Sequence, residues 1–158
     1  MSAVLATRSS DRGRGGWSAP RVLRIACGAV ALIGLGIAAY LTIVHYAGGE
    51  PVCAIAHGCA VVQQSDYAEL AGVPVALLGL VGYVGILGSL ARDGEAWRSA
   101  TAFLSLAGFG FSAWLTYVEI AKLDAICIWC VGSAVCMTVL AVLSVARVLS
   151  APPPALRG

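Results

Sequence analysis

Polar and apolar positions along the chain separate into long blocks rather than alternating. Four stretches contain no charged residue: Ile25 to Val44 (20 residues), Leu70 to Ala91 (22), Ser99 to Val118 (20) and Ala125 to Ala146 (22). A helix rises about 1.5 Å per residue, so about 20 residues cross a hydrocarbon core of about 30 Å. None of the stretches alternates polar and apolar residues over about ten positions, as a membrane barrel strand does. The pattern predicts an all-α membrane protein, a bundle of four transmembrane helices.

The longest connection, residues 45–72, has a pattern of its own. From Cys59 to Ala71 it predicts a short half-helix that cannot span and caps the mouth of the bundle. Val61, Ser65 and Ala68 fall on one face at helical spacing, Gln63 and Asp66 on another. Ser65 is expected to turn inward. Gly72 ends the segment, and Pro74 suits the first turn of the second membrane helix. Along that helix Gly79, Gly82, Gly85 and Gly88 recur every three residues, a stripe that lets helix backbones approach in lipid.

Residues 1–24 read as a basic arm, with Arg8, Arg12, Arg14, Arg21 and Arg24 and no apolar run. The first apolar run is full length, unlike the short core of a cleaved signal peptide, and is expected to remain as a helix. Residues 25–148 form one membrane domain, and 149–158 a tail that includes the extended run Ala151-Pro152-Pro153-Pro154.

Composition agrees with this division. Of the 158 residues, 59% are hydrophobic and 11% charged, against about 25% charged in soluble domains. That excludes a disordered chain, and a net charge of +2 excludes a nucleic-acid binder. The charges also set orientation. Nine arginines (Arg8, Arg12, Arg14, Arg21, Arg24, Arg92, Arg98, Arg147, Arg157) fall on one side of a four-span bundle and only Lys122 on the other. Positive loops stay inside, so both termini are expected in the cytoplasm, with the 45–72 loop and the 119–126 turn outside.

Orientation gives the six cysteines their meaning. Cys53 and Cys59 lie in the outer loop, and Cys127 and Cys130 in the first turn of the last helix, also outside. An oxidising compartment favours disulfides there over metal. Cys27 and Cys136, inside apolar stretches, read as small buried apolar residues. At a helix start, free amides and the dipole favour the Cys127 thiolate, the attacking species. Trp129, between Cys127 and Cys130, reads as an interfacial anchor or as a wall of the pocket beside the sulfurs. A loop with two thiols can take a disulfide from the membrane pair by exchange and present it to water. The circuit then needs a two-electron acceptor dissolved in lipid, and a quinone fits.

Cys53-x5-Cys59, Ser65, Gly-Val-Pro-Val-Ala-Leu-Leu-Gly at 72–79 and Cys127-x2-Cys130 opening the last helix together resemble the bacterial branch of the vitamin K epoxide reductase family. The likeness runs from about residue 25 to 148. It implies a four-helix bundle around a quinone, in the bacterial inner membrane. It also implies that Cys130 faces the quinone, with Ser65 and Trp129 beside it, and that Cys127 exchanges with Cys59. Cys53 then completes the pair that oxidises a periplasmic thioredoxin-like (DsbA-like) partner. Some relatives carry that partner fused after the last helix; here the chain stops soon after it, so the partner is expected to be a separate protein. Two positions depart from vertebrate members: Ala134 stands where they have tyrosine, and apolar residues surround Val75 where they have asparagine. The resemblance therefore implies disulfide generation with ubiquinone or menaquinone rather than reduction of vitamin K epoxide.

Three other readings fit the sequence less well. Four thiolates can hold zinc, but the five residues between Cys53 and Cys59 exceed the usual ligand spacing. A binding or transport protein with structural disulfides would more often carry ionisable residues within its spans. Other four-helix quinone-linked disulfide generators place their Cys-x-x-Cys near the first outer loop, the reverse of the order here. His45 and His57 read as solvated or interfacial, with proton transfer near the loop cysteines as the alternative. Lys122 and Asp124 read as holding the turn before the last helix. Glu50, Asp66 and Glu69 read as a solvated acidic surface.

Overall fold

A computed structural model describes residues 19–53 and 58–150. Most of the basic arm, His57 and the proline-rich tail lie outside the described residues. The elements are α1 (Ala19–Tyr46), α2 (Cys59–Gln63), a 3-10 turn (Asp66–Ala68), β1 (Glu69–Leu70), β2 (Val73–Pro74), α3 (Val75–Leu90), α4 (Glu95–Val118), a π-helical turn (Glu119–Leu123) and α5 (Ile128–Leu149). Helices α1, α3, α4 and α5 pack in a ring, with α1 and α4 each touching both α3 and α5.

Three helical stretches are long and apolar enough to cross a membrane: Arg21–Tyr46, Glu95–Leu123 and Ile128–Leu149. Their outer faces carry large bare apolar side chains, including Ile43 at 68% exposure, Phe103 at 71% and Leu149 at 79%. Water would penalise so much uncovered apolar surface, whereas lipid does not. The chain is a membrane protein.

The bundle core is built from Cys27, Ala31, Ala38, Tyr83, Ile86, Leu90, Cys136, Met137 and Leu140. Its largest member, Tyr83, is fully buried and reaches from α3 to α5, where its hydroxyl meets the carbonyl (3.1 Å) and hydroxyl (3.0 Å) of Ser133. Gly34 makes room for it: a Cβ there would lie 2.2 Å from the Tyr83 ring. The expected glycine stripe on α3 divides instead. Gly79 faces Ala38 of α1, Gly85 faces Leu104 of α4, and Gly82 and Gly88 meet no neighbour within 4 Å. A spacing of three on a helix with 3.6 residues per turn drifts by about 60° at each step, so such a stripe cannot serve one partner.

Three boundaries differ from the sequence-based expectation. Helix α1 begins at Ala19 rather than Ile25, since Pro20 suits a first turn and arginine propagates a helix well. Arg24 thereby lies on α1 and forms an ion pair with Asp93, Nη1 to Oδ1 at 2.6 Å. Helix α3 has 16 residues, because the first part of its apolar run forms a hairpin with Glu69 opposite Pro74 and Leu70 opposite Val73. The turn between them is Ala71-Gly72, with φ of 54° and 79°, the positive values that a tight two-residue hairpin turn requires. Pro74 thus stands at the N-cap of α3, not inside its first turn.

The expected half-helix is also broken. Helix α2 stops at Gln63, Ser65 is extended (φ −76°, ψ 157°), and the Ser65 hydroxyl donates to the Val62 carbonyl at 2.7 Å. The predicted shared face of Val61, Ser65 and Ala68 is lost as a result. Val61 is exposed, while Val62 and Gln63 join Ser65 and Ala68 facing the bundle.

Candidate active site

The site lies at the end of the bundle where α1 and α4 finish and α3 and α5 begin. Helix α4 passes into the π turn, a widened coil common near functional sites. Asp124 then takes a left-handed conformation (φ 45°), and the Ala125 amide bonds back to the Glu119 carbonyl at 3.2 Å. This reversal delivers Ala125 and Ile126 to the mouth of the bundle and sets Cys127 as the N-cap of α5. The Cys127 side chain is fully buried, and its amide donates to Glu119 Oε2 at 3.1 Å. Cys130 follows one turn along α5. Cys130 and Glu119 line the same cavity.

Cys127 lies just ahead of the membrane-spanning part of α5. The hydrogen bond from Cys130 lowers its thiol below the usual range, outweighing burial and the nearby Glu119 charge. Thiolate character at Cys127 is what the sequence predicts, though the donor that contributes most is its partner cysteine rather than the helix end alone.

Cys53 and Cys59 form a disulfide, with their Cα atoms 6.3 Å apart. Two contacts hold this loop against the start of α5. Beside Cys53, the Val52 amide donates to the Tyr40 hydroxyl at 2.9 Å, and its carbonyl accepts from Trp129 Nε1 at 3.0 Å. The Tyr40 and Trp129 rings pack with centroids 4.7 Å apart. Beside Cys59, Gly58 lies flat on α5's approach: a Cβ there would stand 2.6 Å from Ile126 N and 2.7 Å from Ile126 O. The chain neighbours of Cys59 and Cys127 are thus in contact, and both cysteines are buried.

Under the loop opens a cavity of about 400 Å³. Its walls are mainly apolar, from α1, α3 and α4, with Phe111 and Tyr67 as the aromatic members. Gln63, Ser65, Ser112, Thr116, Glu119, Cys130 and Ser133 supply its polar groups. Pockets of this size and character suit small-molecule ligands.

The expected site residues are therefore distributed as follows. Cys127 and Cys130 stand together, Cys53 and Cys59 are bonded, and Ser65 and Cys130 line the cavity. Trp129 turns to the loop and holds Val52 instead of walling the cavity. Cys27 and Cys136 belong to the bundle core. His45 lies 3.6 Å from Glu69, and Glu50 accepts a hydrogen bond from Gln64 at 3.3 Å. Among the described residues no group of three or more His, Cys, Asp or Glu is arranged to hold a metal ion.

Sequence reasoning missed Tyr40 and Glu119. Nothing marks Tyr40 within its apolar run. Glu119 did leave a signal, as a lone acid between Val118 and Ile120 at the edge of a span, where an ionisable group is costly. A family model described as the vitamin K epoxide reductase family matches residues 25–145.

Proposed function

The chain belongs to the vitamin K epoxide reductase family and is a membrane thiol oxidoreductase, and we propose that it generates disulfides, passing electrons from secreted thiols to a membrane quinone. In this reading it is of the bacterial branch, and its shorter apolar helix α3 is the fourth span. Both termini face the cytoplasm and the four working cysteines face the periplasm. Nine arginines against one lysine support that orientation.

The observation that supports the proposal is the close approach of Gly58 to Ile126, the chain neighbours of Cys59 and Cys127, beside an apolar cavity lined by Cys130. Thiol–disulfide exchange needs an attacking thiolate within reach of a disulfide. The partner, a thioredoxin-like protein, is oxidised by the loop disulfide. The reduced loop is then restored by the inner pair through a Cys59–Cys127 mixed disulfide. Cys130, lining the cavity, is the residue that faces the quinone.

The cavity residues fit such a molecule. Apolar walls and the Phe111 and Tyr67 rings suit a flat ring, while Ser65, Gln63 and Thr116 offer polar groups to ring carbonyls. A bound quinone supplies a two-electron acceptor. The chain's own part is to hold Cys130 at the cavity and to keep water from the sulfurs, which burial of Cys59 and Cys127 achieves.

The test is anaerobic turnover of the purified protein with a reduced thioredoxin-like partner, comparing ubiquinone with menaquinone. Quinol formation that disappears in Cys127→Ala and Cys130→Ala is expected, with dithiothreitol as donor as well. Turnover retained in either variant excludes the relay.

A further inference from the structure

Glu119 is 4% exposed, lies at the end of an apolar helix and forms part of the cavity wall. The hydrogen bond the structure gives its carboxyl comes from the Cys127 amide, at 3.1 Å from Oε2, and Cys130 lines the same cavity beside it. A carboxylate held in apolar surroundings is costly unless paired, so a buried one with two sulfur-bearing neighbours calls for a reason. Satisfying one amide is not sufficient, because a neutral amide side chain would accept that hydrogen bond equally well. What Glu can do and Gln cannot is release and take up a proton.

We propose that the Glu119 carboxyl is the proton donor and acceptor for Cys130 during the redox cycle of the inner pair. The inference rests on the proposed function and deepens it. In the exchange step the Cys59 thiolate attacks Cys127 Sγ of the inner disulfide. The Cys59–Cys127 bond forms, the Cys127–Cys130 bond breaks, and the electron pair leaves on Cys130 Sγ, which takes the proton of Glu119. The Cys53 thiolate then attacks Cys59 Sγ, closing the loop disulfide and releasing Cys127 as a thiolate.

On reoxidation the Cys127 thiolate and Cys130 thiol join, giving up two electrons and one proton. The proton returns to Glu119. The electrons leave to the quinone with two protons that match those shed by Cys53 and Cys59. Each half of the cycle thus returns Glu119 to the state the other half needs. The titratable groups against it are Cys127, at the N-cap of α5, and Cys130 of α5; Lys122 and Asp124 follow on its own turn.

The test compares wild type, Glu119→Gln and Glu119→Asp in the full chain. The first readout is quinone-free: single-turnover reduction of the Cys127–Cys130 disulfide by dithiothreitol across pH, in a background of Cys53→Ala and Cys59→Ala. Glu119→Gln keeps the acceptor for the Cys127 amide and is expected to slow this step by about 10²-fold, the usual worth of general acid–base help. Its pH profile should lose the wild type's carboxyl titration. If Glu119→Gln is not recovered folded, Glu119→Asp carries the test: its set-back carboxyl should slow the step by about 10-fold to 10²-fold while keeping the pH dependence. Wild-type rate and profile in the folded variant overturn the proposal. The second readout, quinol formation, separates the two readings. A Glu119-dependent reduction step in a protein that reduces neither quinone sustains the role of Glu119 and rejects the disulfide-generating function.

Discussion

The indole N–H of Trp129 donates a 3.0 Å hydrogen bond to the carbonyl of Val52, tying the first turn of α5 to the residue beside Cys53. The same peptide group region is held from the other side, where the Val52 amide donates to Tyr40. The loop cysteines are therefore positioned by the helix that carries the inner pair. A net hydrogen bond contributes about 0.5–1.5 kcal/mol, equivalent to about 2-fold to 12-fold in a rate or equilibrium. Trp129→Phe keeps the ring against Tyr40 but loses the donor. Oxidation of the protein partner should fall by that factor, with oxidation of dithiothreitol through the inner pair reduced less. Equal loss with both donors would show that Trp129 acts on the cavity rather than on the loop.

Gly58 gives a second test of how the loop docks. An added Cβ would press on two backbone atoms of Ile126, at 2.6 and 2.7 Å, and backbone yields less readily than a flexible side chain. Gly58→Ala should lower stability by about 1–3 kcal/mol, the usual cost of overpacking. It should also lift α2 from the approach to α5. In a Cys130→Ala background, where the Cys59–Cys127 mixed disulfide has no resolving thiol on α5, Gly58→Ala should reduce the trapped species on non-reducing gels. Undiminished trapping would mean that the loop reaches Cys127 by another path.

The lowered Cys127 thiol makes a pH-dependent prediction whose sign is fixed by its cause. A hydrogen bond donated by Cys130 favours the Cys127 thiolate, while burial and the charge of Glu119 oppose it. Thiolate therefore predominates from a lower pH than for an ordinary cysteine. Cys130→Ala removes the donor and leaves the opposing effects, so the Cys127 titration must move upward. Alkylation of Cys127 by iodoacetamide, followed by peptide mass, should slow about tenfold at neutral pH and recover as pH rises. An unchanged alkylation profile would assign the lowering to the start of α5 alone.

Much of this architecture was legible in the sequence because lipid imposes a coarse requirement. A charge-free run of sufficient length must be helical, and the runs around α1, α4 and α5 are. The cysteine pairs were legible for a related reason, since their places at the loop and at the start of the last run follow from counting spans. The hairpin before α3 was not. Leu70, Val73 and Pro74 are apolar, so the run looked continuous, and only the pair Ala71-Gly72 carried the turn. Trp129 and Glu119 were harder still. Their work depends on groups 77 and 8 residues away in the chain, Val52 and Cys127, and no local pattern encodes such contacts.

Ser65 combines a local and a long-range role, which makes it a useful final case. Its hydroxyl donates to the Val62 carbonyl at 2.7 Å, closing the turn where α2 stops. The hydroxyl belongs to a residue that lines the cavity, where it can turn from Val62 to donate to a ring carbonyl of a quinone in the proposed pose. Ser65→Ala should therefore have two separable effects. Loss of the turn hydrogen bond should cost about 1 kcal/mol of stability, read as a lower Tm. Loss of the polar contact at the cavity should raise KM for quinone by about 2-fold to 12-fold with kcat little changed, as expected for an interaction equal in ground and transition states. Ser65→Thr retains the hydroxyl and should restore both. A lower Tm with an unaltered KM would confine Ser65 to shaping the loop and leave recognition of the quinone to Gln63 and Thr116.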